Sequence, residues 1–274
     1  MNKLDTKARA TILQLLCEGQ SVRAVAGRTG ASKNTVAKLL SDAGAICAEY
    51  QDRVLRKLNI RRVQVDTIWS FDVARLTNVR ATKAPIESPA DCWTWSAMDV
   101  DSRLVLSWLV GRRDSDCAIT FMDDLRGRLA NRVRFTSDGA QATLEAVDGA
   151  FWGGGDEAML IKIYGAASES KGRHNPAERI GAKKGRMETG PDFAHVSMSH
   201  AEPENLIVRM AVRYAQPPDA YHKKVENHAH AVALHFIYHN FVRLHANLHS
   251  TPAMAAGIAK KIWEIGDIVA LTEA

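Results

Sequence analysis

Residues 63–73 read VQVDTIWSFDV, and the rest of the chain is placed by how this stretch is read. Apolar and polar residues alternate, and β-branched and aromatic types dominate, so the segment predicts a β-strand with Asp66 inside an otherwise apolar run. Downstream, WTWSAMDV (93–100) and RLVLSWLVG (103–111) flank Asp101-Ser102 and predict an antiparallel hairpin. An amphipathic helix is expected over 114–130, then a fourth strand over RVRFTS (132–137) that runs into Asp138-Gly139. A helix over 140–150 and a fifth strand over AMLIKIYG (158–165) follow. Three leading strands succeeded by alternating helix and strand describe an α/β domain, a mixed sheet with helices on its faces.

This is the element order of an RNase H-like fold, and it gives two acidic residues a special position. Asp66 lies within the first strand and Asp138 at the end of the fourth. If those strands are neighbours, the carboxylates converge, and like charges at close range raise each other's pKa. A divalent cation removes that conflict, and Mg²⁺ prefers oxygen ligands. Two such ions roughly 4 Å apart can activate an attacking oxygen and stabilise a leaving one in phosphoryl transfer. Asp72, Asp99, Asp101 and Asp148 are expected only to end strands or cap helices. A third carboxylate is offered by Glu202, which forms an S-x-x-E capping box with Ser199. At ~100° per residue, Glu202, Asn205 and Arg209 share one helix face. Glu204 lies about 200° round from Glu202.

The N-terminal quarter reads differently. Residues 1–62 hold 12 Lys/Arg against 5 Asp/Glu, a balance of +7, whereas the remainder carries −2 of the total +5. A basic segment joined to a near-neutral body suggests a polyanion-binding module. Residues 7–18 predict a helix stopped by Gly19. Ser21 caps a second short helix ending at Gly30, and Ser32 caps a third, KNTVAKLLSDAG, closed by Gly44. That is the helix-turn-helix order. Its last helix would lie in the major groove of double-stranded DNA, presenting Ser32, Lys33, Asn34, Thr35 and Lys38. Asn pairs two-pronged with adenine, and Lys reaches guanine or phosphate. Residues 49–62 are expected to be a basic linker helix whose Arg56, Lys57, Arg61 and Arg62 follow the phosphate backbone. The expected domains are 1–48 (helix-turn-helix), 49–62 (linker), 63–215 (RNase H-like) and 216–274, a helical C-terminal region packed on the sheet domain.

Bulk properties fit this division. An apolar fraction of 46% in 274 residues supplies a core, and 24% charged residues argue against wholesale disorder. No apolar run approaches the ~20 residues a membrane helix needs. The four cysteines form no CxxC pair, so reduced, cytoplasmic thiols are the expectation. Seven of the ten histidines fall in 222–249. His235 and His239 stand four apart without an intervening HExxH glutamate, and packing, partner polar contacts or phosphate contacts are favoured over a zinc site. Residues 171–186 (KGRHNPAERIGAKKGR) carry six Lys/Arg and one acid among Gly and Pro, and predict a mobile loop that favours DNA backbone contact.

Taken together, three blocks carry a family resemblance: Gln64-Val65-Asp66-Thr67-Ile68-Trp69-Ser70-Phe71, Thr136-Ser137-Asp138-Gly139, and Glu202 with Asn205-Leu206 and Arg209. The runs 223–245 and 251–257 add to them. The chain resembles the DDE transposases of the bacterial insertion-sequence-one type, in a long single-frame form with a helix-turn-helix. The resemblance implies strand cleavage and strand transfer on double-stranded DNA, at transposon terminal inverted repeats and target, with two Mg²⁺ (or Mn²⁺) ions. It implies Asp66, Asp138 and Glu202 as catalytic and metal-binding residues, Arg209 as a DNA contact, and at least a homodimer to hold two ends. The chain departs from the family at Thr67, Ala140, Pro203, Glu204 and 216–219. Proline disfavours helical geometry at the residue before it, here Glu202. Two rivals follow: a decayed transposase acting as a DNA-binding regulator, and an RNase H-like nuclease without strand transfer.

Overall fold

The computed structural model describes residues 4–72, 91–137, 150, 157–164, 179–187 and 225–273. Three helices come first: α1 (Thr6–Cys17), α2 (Val22–Thr29) and α3 (Lys33–Val54). Each starts where a side chain accepts an otherwise orphaned N–H: Asp5 from Ala8, Ser21 from Ala24, Ser32 from Thr35. Gly19 (φ 84°) and Gly30 (φ 71°) end the first two in the left-handed region that favours glycine. Ile12, Leu13, Leu16, Val22, Val25, Val36, Leu39 and Leu40 are buried together, which closes the helix-turn-helix.

Gly44 does not close α3, contrary to expectation. The helix runs ten residues further, to Val54. Glycine inside a helix costs about 1 kcal/mol relative to alanine, so its place here needs another cause. That cause is α5 (Val225–Ile237), which crosses α3 at this point. A Cβ on residue 44 would stand 2.4 Å from the His230 carbonyl oxygen and 2.6 Å from its Cα. Glycine is there for backbone approach, not for termination.

The sheet has the order β3-β2-β1-β4. β1 (Arg62–Asp72) pairs antiparallel with β2 (Asp91–Asp99), which pairs antiparallel with β3 (Val105–Gly111). The hairpin turn between β2 and β3 is built on Asp99, whose carboxylate accepts from the Ser102 N–H and hydroxyl. β4 (Arg134–Ser137) pairs parallel with β1 on its other side. The connection is α4 (Ser115–Arg128), capped by Asp114. α4 buries Ala118, Phe121, Met122 and Leu125 with Val63, Val65, Trp95 and Ala97 of the sheet. On the opposite face Ile68, Met98 and Val105 meet Val232 and Phe236 of α5.

Two further expectations need correction. β5 (Glu157–Tyr164) forms as expected, but among the described strands it pairs with β6 (Arg179–Met187) in a two-stranded sheet. Residues 179–187 therefore form a strand where the sequence predicts a loop. Gly181, Gly185 and the basic side chains lower β-propensity, yet that propensity is dominated by the neighbouring strand, and β5 supplies one, paired from Glu157 to Ile163 without a register shift. Nor do residues 49–62 behave as a linker. Residues 49–54 are the last turns of α3, and Gln51, Leu55, Leu58 and Ile60 are buried. The buried Gln51 amide donates to the Ala233 carbonyl of α5 at 3.1 Å.

The C-terminal helices join the two regions. A π-helical stretch, Tyr238–Val242, continues α5, and the short α6 (Pro252–Ala255) and α7 (Ile265–Leu271) follow. Tyr50 of α3, Phe241 and Trp263 form one aromatic group with centroid separations of 4.8–5.7 Å. Arg9 of α1 pairs with Glu273 just beyond α7. The buried apolar residues of the helix-turn-helix, the sheet and these helices form one continuous cluster. Among the described residues no helix is long and apolar enough to cross a membrane.

Candidate functional site

Two surfaces bear on function: the start of α3 and the middle of β1. At the start of α3, Ser32 accepts the Thr35 N–H at 3.0 Å, and the two hydroxyls are hydrogen-bonded at 2.8 Å. Both side chains are thus engaged in the cap. Lys33 and Asn34 are exposed beside them, while Val36, Leu39 and Leu40 turn inward. Lys38 is exposed and ion-paired with Asp42 one turn on, at 2.8 Å. The start of α3 is therefore stiff and capped, with a cation and an amide side chain exposed at its tip.

The four basic residues after α3 divide. Arg56 pairs with Asp52 and lies 3.8 Å from Asp124, within a network that also ties the nearly buried Arg128 to Asp52 and Asp124. Arg62 pairs with Asp101 of the hairpin turn. Lys57 and Arg61 are exposed.

Asp66 is half-buried in the middle of β1. Its Oδ2 accepts from the Gln64 side-chain amide at 2.6 Å, two residues back on the same strand face. The expectation that the first and fourth strands are neighbours is met. Their parallel register sets Gln64 against Thr136 and Val65 against Ser137, the residues before Asp66 and Asp138 respectively. Asp138 itself, with Glu202, Asn205 and Arg209, lies outside the described residues. The same face of β1 carries Ser70, whose hydroxyl is 2.8 Å from that of Thr94 on β2. His228 Nε2 of α5 stands 3.2 Å from both oxygens. This buried trio anchors α5 on the face that bears Asp66.

Among the described residues no three His, Cys, Asp or Glu side chains are grouped to hold a metal ion. Asp66 is the one member of the expected triad described, and a carboxylate on a stiff strand offers the hard oxygen that Mg²⁺ selects. His235 and His239 serve packing. Burial holds their pKa values down to about 3 and about 4, with Arg243 close by adding to it. His239 Nε2 donates to the Arg103 carbonyl at 3.0 Å.

Sequence reasoning missed two arginines. Arg134 becomes the register partner of Arg62 through the β1–β4 pairing, and Arg132 sits just before it. No local motif signals them, because a parallel register is fixed by the crossover and not by the strand itself.

Residues 3–46 match the homeodomain-like domain family. No curated protein matches the chain. The matched span ends inside α3, two residues past Gly44, and covers the capped helix start with Lys33 and Asn34.

Proposed function

We propose that this chain is a DNA transposase with an RNase H-like body, cleaving and joining DNA at a carboxylate centre of Asp66, Asp138 and Glu202. One observation supports the reading above others. The parallel β1–β4 register puts Ser137, the last residue of β4, opposite Val65, and in sequence each of these two residues is followed by an aspartate. A homeodomain-like domain carrying Lys33 and Asn34 at a capped helix start supports the DNA-binding half.

In this reading the helix-turn-helix binds the transposon end in the major groove. The sheet presents Asp66 to the scissile phosphate, oriented by the Gln64 amide. Bound divalent ions would offset the repulsion between the carboxylates and lower the barrier for the attacking and leaving oxygens. Water first attacks the phosphodiester, releasing a 3′-hydroxyl. That hydroxyl then attacks target DNA, so one site performs both displacements.

The reading is tested by incubating DNA that carries the element's two ends with the protein and Mg²⁺ or Mn²⁺, then resolving cut and joined products. Asp138→Ala is expected to lower both by at least about a thousandfold, the scale of losing a principal transition-state group. Retained activity in that variant removes the carboxylate assignment. The rival of a DNA-binding regulator gains from the family match, which lies wholly in the binding module. It predicts end binding with no cleavage under either metal.

A further inference from the structure

The start of the β1–β4 pair concentrates positive charge. Arg62 and Arg134 are direct register partners, and the Arg134 N–H donates to the Arg61 carbonyl at 2.9 Å. Asn131 fixes this juxtaposition: its side chain accepts from the Ile60 N–H at 2.9 Å and donates to the Ile60 and Arg132 carbonyls at 2.6 Å each. Arg61 and Arg132 are exposed and Arg134 is half-buried. Asp101 takes up Arg62. Among the described residues no ion pair is formed by Arg61, Arg132 or Arg134.

Like charges set opposite each other on paired strands are destabilising. A fold that holds three unneutralised guanidinium groups on two stapled segments gains stability when an anion meets them. The strand pattern also says where that anion lies. Val63 and Phe135 face α4 in the core, so Arg62 and Arg134 share the opposite face with Gln64 and Asp66. Four residues at ~3.3 Å each separate the arginine row from Asp66, about 13 Å along β1. The start of α3 is more remote, since its 22 residues span roughly 33 Å.

We propose that Arg61, Arg132 and Arg134 form a second DNA-contacting surface, separate from the helix-turn-helix, that binds the phosphate backbone of duplex DNA alongside Asp66. Guanidinium forks match phosphate geometry and carry no sequence preference, so this surface positions DNA without reading it. The phosphates come either from the duplex already held by the helix-turn-helix or from a second duplex. The inference rests on the DNA-binding reading above, not on cleavage.

The test is salt-dependent binding of the full chain to a labelled random-sequence duplex of about 40 base pairs. Each lost phosphate contact lowers the slope of log K against log salt by about 0.9. The variant Arg61→Gln/Arg132→Gln/Arg134→Gln is expected to lose nearly 3 from the slope, at about 0.9 each. Arg132→Gln alone, at an exposed position before the strand, is expected to lose about 1 and keeps the test valid if the triple variant does not fold. Lys260→Gln, exposed and distant in sequence, is expected to leave the slope unchanged. Binding that persists with an unaltered slope in the folded variants overturns this surface while sparing the DNA-binding reading; no binding by the unaltered chain overturns both. A duplex of about 12 base pairs separates the sources. With a second duplex it titrates at two per chain, falling to one in the variant. With a single spanning duplex, the variant's effect appears only on the longer probe.

Discussion

Gly44→Leu is expected to destabilise the protein by more than about 3 kcal/mol, and Gly44→Ala by about 1–3 kcal/mol. Any side chain here meets backbone: the Cβ alone would stand 2.4 Å from the His230 carbonyl oxygen. Backbone cannot rotate away as a long side chain can, so α3 and α5 must separate. Separation also strains the Gln51–Ala233 hydrogen bond lower in the same helix pair. Alanine is otherwise the better helix former by about 1 kcal/mol, so a net loss isolates the packing effect. Gly27 is the control. It is exposed on α2 with nothing within 4 Å of the Cβ position, and Gly27→Ala is expected to stabilise by up to about 1 kcal/mol. Urea unfolding of both variants decides the matter, and equal shifts at the two glycines would contradict the close approach.

The second large effect is a loss of stability in acid. His235 and His239 are buried and titrate near 3 and near 4 in the fold, against about 6.5 in an unfolded chain. The folded values are depressed, so below about pH 6.5 the unfolded state binds protons that the native state refuses. Stability is therefore full above that pH and falls as pH drops towards 4. Each histidine contributes up to about 1.4 kcal/mol per pH unit, so the pair contributes roughly 2–3 kcal/mol per unit in the middle of the window. His239 and Arg243 add to the lowering at His235, and Arg243 and His245 add to it at His239, where the hydrogen bond to the Arg103 carbonyl works the other way. Denaturant midpoints between pH 7 and 4.5 give the slope. His235→Leu is expected to flatten it by about half, and an unchanged slope would remove these histidines as its source.

Much of the architecture was legible because it rests on local rules. Ser21 and Ser32 announce helix starts, Gly19 and Gly30 announce stops, and the alternation of 63–72 announces a strand. The failures share a different cause. Gly44 carries the same local signal as Gly30, and only the passage of α5 distinguishes a packing glycine from a terminating one. Residues 179–187 lack strand propensity and gain their structure from β5. The basic run 56–62 reads as one DNA-tracking face, yet Arg56 and Arg62 are committed to Asp52 and Asp101. Asp101 lies 39 residues from Arg62 and meets it only through the fold. For the candidate site, Asp66 was visible as a carboxylate in an apolar strand. Its relation to the fourth strand came from pairing, and Gln64 gained its role from a contact two residues away on the same face.

One measurement addresses the proposed chemistry most directly: Mn²⁺-supported joining of a pre-cut 3′ end to target DNA, read beside end binding, for the unaltered chain and Asp66→Asn. The substitution keeps the shape and a partner for Gln64 while removing the charge that a metal requires. The proposal predicts equal DNA binding and joining reduced at least about a thousandfold. Joining that survives in Asp66→Asn, with binding intact, would contradict it.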